Sequence, residues 1–158
     1  MSTNTETAEQ RLTSLGIQLP DPPTPFGAYV PAVQTGNLLF LSGMLATSGH
    51  TATVVGVVGS DIDVNAGKRA AYTAALNGLA LARKHLGSLD RVSRVVRLGV
   101  YVAAAPHFTD HVKVADAASE LFRDVLGEET MSSRLVIGVA SLPLGSPVEL
   151  EVILEVKP

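Results

Sequence analysis

The sequence predicts an α+β domain: a mixed sheet with two main helices packed on one face. Three observations carry this. From Val148 to Val156 the chain alternates, with Val148, Leu150, Val152, Leu154 and Val156 on one side and Glu149, Glu151, Ile153 and Glu155 on the other. Side chains leave a strand on alternate faces, so this period marks a strand with one buried face. The stretch Val64–Leu86 is mostly Ala, Leu and Gly, with polar residues recurring at helical spacing, which predicts a long helix lying close on a sheet. The elements run strands, helix, strand, helix, two strands, an order that places helices on one side of a mixed sheet.

Each element has its local reason. Residues 1–8 carry no periodicity and are expected to lack order, and Glu9–Leu15 can form a short helix stopped by Gly16. Pro20-Asp21-Pro22-Pro23-Thr24-Pro25 suits an extended lead-in, because proline fixes φ and has no N–H. Residues 1–24 are thus expected to form a flexible, proline-rich lead-in to a domain spanning 25–158. Strands are expected at Tyr29–Val33 and Leu38–Ser42 around a Gln34-Thr35-Gly36-Asn37 turn, then a loop over Thr47–Thr53 and a strand at Val54–Val58. Asp63 is placed to cap the long helix and Gly87 to end it. Arg69, Thr73, Asn77 and Lys84 form its polar stripe. Val92–Val102 reads as a strand. Pro106 fits the first turn of a second helix, which carries Val114, Ala118, Leu121, Phe122 and Val125 inward and stops at Gly127. Two apolar runs around Leu142-Pro143-Leu144-Gly145-Ser146-Pro147 close the chain, either as a hairpin or with a longer loop.

Composition excludes several classes of function. With 46% hydrophobic and 17% charged residues, the chain has more apolar surface than a monomer covers easily, which points to a subunit interface. A net charge of −3 without a Lys/Arg run argues against an electrostatic grip on nucleic acid. There is no cysteine, so disulfides, thiolate nucleophiles and Cys-bound metals are out. No apolar run approaches the roughly 18 residues of a membrane span, and the polar, acidic start lacks the pattern of a signal peptide. A cytoplasmic protein is expected.

Several residues are candidates for chemistry. Arg134 opens a strand with no acid beside it in sequence; it is either a surface or interface arginine or an anchor for a carboxylate, which a guanidinium fork binds in bidentate fashion. Glu149 and Glu151 lie on the polar face of the last strand, where a solvated stripe is the ordinary reading. Tyr29 can be a half-buried strand residue, and Ser42-Gly43 either a turn or a pair of donors. His107 and His111 are four apart, a spacing that can bind zinc, but neither the glutamate of an H-E-x-x-H motif nor a third ligand accompanies them, so no metal is expected.

Gly27-Ala28-Tyr29-Val30-Pro31, then Gly36-Asn37 and Ser42-Gly43, then Ala75-Leu76-Asn77-Gly78-Leu79-Ala80 and Leu86-Gly87-Ser88-Leu89-Asp90, and finally Arg134, Leu142-Pro143 and Glu149-Leu150-Glu151 resemble, in order over about residues 25–156, the Rid (YjgF-type) reactive-intermediate deaminases, a family also labelled endoribonuclease L-PSP. The resemblance implies a chorismate-mutase-like single domain and a homotrimer with clefts between subunits. It implies hydrolysis of reactive enamines or imines to 2-keto acids and ammonia, without a cofactor. It gives Arg134 the substrate carboxylate and Glu149 the positioning of water or relay of a proton. Tyr29, Ser42, Gly43 and Val136 would line the substrate. A small carboxylate-bearing metabolite is then the expected partner. The chain departs from the family pattern at Met44, usually Gln; at Ser132-Ser133; at Leu135-Val136-Ile137-Gly138; and in the second helix, where Asp116 is nearest the usual asparagine. These departures resemble a less characterised branch. They make a non-catalytic, carboxylate-binding regulatory trimer the alternative, while an RNA-cleaving role fits poorly without a basic patch or stacking aromatics.

Overall fold

The computed structural model describes residues 5–158. Part of the stretch expected to lack order, residues 1–4, lies outside the described residues. α1 (Ala8–Ser14) begins just after it. Thr7 caps this helix reciprocally: its Oγ1 accepts the Gln10 N–H at 3.3 Å, and Gln10 Oε1 accepts the Thr7 N–H at 2.9 Å. Ala8 and Leu12 enter the main core, so the segment expected as lead-in supplies part of it. Glu9 fastens the helix by accepting from Arg83 and from the Leu89 N–H. Burial pushes the Glu9 carboxyl up, but the Arg83 and Leu89 donors outweigh it and hold the group below the ordinary carboxylate range. Pro20–Pro25 carries no regular secondary structure.

β1 (Ala32–Thr35) and β2 (Leu38–Leu41) form an antiparallel hairpin with Thr35 opposite Leu38. The first strand starts three residues later than expected, just after Pro31, which has no N–H for a ladder. Gly36, at φ +58°, makes the tight turn that fixes this register. Tyr29 consequently lies in a loop. β3 (Met44–Leu45) pairs with the last strand. The expected loop over Thr47–Thr53 is a small hairpin, β4 (Thr47–Ser48) with β5 (Thr51–Ala52). The expected Val54–Val58 strand is absent: only Val58 bridges, to Ile62 and Ala104.

α2 spans Val64–Leu86 with both predicted ends in place. Asp63 Oδ1 accepts the Ala66 N–H at 2.8 Å, and Gly87 at φ +83° ends the helix. Ala70, Ala71, Ala74 and Ala75 are fully buried, so the helix lies close against its neighbours. Asn77 departs from the expected polar stripe. It is 3% exposed, and its amide donates to the Leu45 and Thr47 carbonyls at 3.0 Å each, holding the β3–β4 turn.

β6 (Val92–Ala103) is followed by α3 (His111–Leu126), β7 (Ser133–Val139) and β8 (Val148–Val156). α3 starts after Asp110, so Pro106 and His107 precede the helix instead of forming its first turn. The sheet order is β1-β2-β8-β6-β7, with β6 and β7 parallel and the other pairs antiparallel. β7 and β8 are therefore not a hairpin; β6 lies between them, because the helical crossover through α3 returns β7 parallel to β6 on its outer side. The chain then crosses back through a single 3₁₀ turn, Pro143–Gly145. The alternation of β8 is complete: Val148, Leu150, Val152, Leu154 and Val156 are buried beneath the helices. Each contributes about 1.5–3 kcal/mol of apolar burial. The opposite face carries Glu149, Glu151, Ile153 and Glu155 and no helix.

Candidate active site

The cleft is built around Glu149, on the helix-free face of β8 opposite Tyr101 of β6. Two hollows meet at this side chain. One, of ≈ 420 Å³, is lined by Phe26, Tyr29, Ser42, Gly43, Leu45, Pro143, Leu144 and Glu149. The other, of ≈ 600 Å³, extends over the open sheet face past Tyr101, Glu151, Phe40 and Ile153. Burial raises the Glu149 carboxyl above its ordinary value. Glu151, two residues on, pairs instead with Arg97 at 3.4 Å. The two glutamates thus occupy different environments, Glu149 half-buried in the cleft and Glu151 paired at the surface.

Gly43 makes room for that carboxylate. A Cβ at position 43 would overlap Glu149 Oε1 and come within 3.1 Å of its Cδ. Ser42 acts through the fold: its Oγ donates to the Val30 carbonyl at 2.7 Å, and its N–H to the Pro31 carbonyl at 2.9 Å. These bonds tie the 26–31 loop across the end of β2, leaving the Ser42 oxygen as an acceptor. The Tyr29 hydroxyl accepts the Phe26 N–H at 2.9 Å, so the ring closes the loop on itself and walls the hollow. Four of the six predicted residues, Tyr29, Ser42, Gly43 and Glu149, therefore converge.

Arg134 and Val136 do not join them within one chain. Arg134 lies opposite Leu98, and Leu98 opposite Val152, on the helix-covered face; Val136 lies on the same face opposite Val100. Glu149 belongs to the other face, three residues along and two strands away, about 10 Å in each direction. Arg134 instead meets α3, where its Nη1 donates to Asp116 Oδ1 at 2.7 Å and Ser119 Oγ at 3.0 Å.

Sequence reasoning missed Phe26 and Leu144 as cleft walls. Leu144 holds φ +61° without being glycine, a conformation that costs about 1–2 kcal/mol. Only its place between Pro143 and Gly145 hinted at a forced turn. The histidine pair dissolves: His107 is off the helix, and His111 packs edge-on against Phe108 with its Nε2 over Gly138. Among the described residues no three His, Cys, Asp or Glu side chains gather as a metal site, and no helix is long and apolar enough to cross a membrane.

The family described as "YjgF/chorismate mutase-like, putative endoribonuclease" matches residues 9–156. The chain is 39% identical over 145 residues to Protein TCP17 of Trypanosoma cruzi, covering 91% of each. It is 28% identical over 142 residues to a 2-iminobutanoate/2-iminopropanoate deaminase of Dermatophagoides farinae, covering 89% of this chain and 95% of that one. A solved structure from Agrobacterium tumefaciens, of a protein of unknown function, superposes with a TM-score of 0.86 at 38% identity, covering 96% of this chain and 93% of the other. By a family match over nearly its whole length and a 39% identical relative matched over 91% of both chains, this chain belongs to the YjgF/chorismate mutase-like family.

Proposed function

We propose that the protein hydrolyses small enamine or imine acids to 2-keto acids and ammonia. The observation that carries this reading is Glu149: a carboxyl raised by burial and seated over Gly43 in an apolar cleft. A carboxyl raised in this way holds a proton more readily than a free one and can both give and take it. An enamine gains a proton at carbon and becomes the imine. One water then adds across the C=N bond, hydroxyl to carbon and proton to nitrogen. Collapse of that adduct breaks the C–N bond, releases ammonia and leaves the carbonyl, with Glu149 carrying the proton between oxygen and nitrogen. The relative that acts on 2-imino acids supports this substrate class. Imines hydrolyse readily, so positioning and modest acid–base help suffice.

Arg134 supplies the carboxylate anchor in this reading. Because it lies on the far face of its own sheet, the complete site takes Glu149, Tyr29, Ser42 and Gly43 from one chain and Arg134 and Val136 from a neighbour in a homotrimer. The helix-free face is apolar enough to be covered by such a neighbour: Val33, Phe40, Leu135 and Ile137 are all exposed there. The test is keto-acid release from enamines generated in place by an amino-acid oxidase or dehydratase. Wild type should accelerate release over buffer, and Arg134→Ala should lose the acceleration. No acceleration with any amino acid would sink the deaminase reading. The second reading, a binding trimer without turnover, is favoured by one observation: Arg134 is already engaged by an acid. Ligand binding that survives Glu149→Gln, in a wild type that turns nothing over, would establish it.

A further inference from the structure

We infer that Asp116 sets how tightly this site holds an anion, by sharing the Arg134 guanidinium with the ligand's carboxylate. The inference rests on the reading of Arg134 as the anchor and concerns a residue that the reaction itself does not use. Asp116 and Ser119 lie three residues apart on α3, one turn facing the sheet edge, and both take the same nitrogen of Arg134. Among the described residues, Arg134 Nε and Nη2 have no partner. The guanidinium is thus pinned at one end and open along its Nε–Nη2 edge, which presents two parallel N–H donors to a carboxylate.

Pinning and neutralising are separate effects. The pin orders a long side chain before the ligand arrives, which favours binding. The Asp116 charge opposes it, because an arriving carboxylate meets a cation already paired and lies one guanidinium width from a second anion. Arg134 has 23% of its side chain exposed and Asp116 46%, so water screens part of that repulsion. At such separations and partial exposure, the like charge corresponds to a factor of about ten in affinity. An asparagine at 116 keeps the acceptor oxygen for Nη1 and removes the charge. Asp116 is therefore a brake on anion affinity, suited to a site that must release a 2-keto acid after each turnover.

The test is calorimetric titration with 2-oxobutanoate, the kind of product the deaminase reading implies, against its carboxamide analogue. Asp116→Asn should bind the acid about tenfold more tightly than wild type and the amide equally well. Ser119→Ala, which removes a pin without changing charge, should stay within about twofold for both. Equal or weaker acid binding by Asp116→Asn overturns the inference, as does an equal gain by Ser119→Ala, since loosening would then be the cause. Absence of acid binding by both wild type and Asp116→Asn overturns it as well. Because the readout is binding, it separates from the deaminase reading. A wild type that binds but does not turn over loses only that reading; one that turns over, with Asp116→Asn unchanged in affinity, loses only this inference.

Discussion

At the scale of single residues, the site depends on an absent side chain. Glu149 occupies the space a Cβ at Gly43 would need, and the overlap falls on the far end of a flexible carboxylate, not on backbone. Gly43→Ala should therefore fold normally while pushing the carboxylate aside, with turnover falling about a hundredfold, the usual cost of an ångström-scale misplacement. Assay and thermal melt on the same preparation check both halves, and a melt that collapses with the activity would refute the positioning argument. Glu149 also gives a pH signature. Its folded-state carboxyl is raised by burial, so the folded protein binds this proton more tightly than the unfolded chain. The favourable contribution is complete below the unfolded value and is lost as pH rises through the folded one. Glu149→Gln should consequently melt higher than wild type at about pH 8, with the gap closing by about pH 4. A constant gap across that range would mean that burial does not set the shift.

At the scale of elements, α2 holds the cleft through one buried amide. Asn77 donates to the Leu45 and Thr47 carbonyls, which fixes the turn that follows Gly43 and Met44. Asn77→Leu keeps the volume but leaves both carbonyls without a donor. It should cost about 1–3 kcal/mol, with faster amide exchange confined to residues 44–53. Denaturant unfolding gives the first number and hydrogen exchange the second; a loss of stability spread evenly over the molecule would contradict the local role. Asn77 also shows where the sequence stops being legible. The ends of α2 and the alternation of β8 were readable because caps and period-2 burial are local. Asn77 looked like part of a polar stripe, since nothing in its helix reveals a partner some thirty residues away. β7 and β8 looked like a possible hairpin for the same reason, as the strand inserted between them comes from earlier in the chain. For the site, the resemblance drew Tyr29, Ser42, Gly43 and Glu149 to one cleft. That Arg134 faces the other way was beyond reach, because it follows from register across β6 and not from spacing.

At the scale of the molecule, that opposition of faces becomes a prediction about assembly. One ligand cannot touch both Arg134 and Glu149 of a single chain, since the sheet separates them. If catalysis needs both, each working site must draw them from two copies, and the exposed Val33, Phe40, Leu135 and Ile137 give the copies an apolar face to meet on. Ile137→Glu, at a position 40% exposed in the isolated chain, should leave the fold intact and disrupt the assembly. Light scattering would then report a monomer, with turnover lost although every site residue is present. The sharper form uses two inactive proteins. Arg134→Ala retains a good Glu149, and Glu149→Gln retains a good Arg134. Mixed one to one, dissociated and reassembled, they should form hybrids in which about a quarter of the sites join the two intact halves, and activity should return to roughly that fraction of wild type. A site made within one chain predicts no recovery at any ratio. The recovered fraction therefore decides, without a structure of the assembly, whether Glu149 and Arg134 face each other across a subunit boundary.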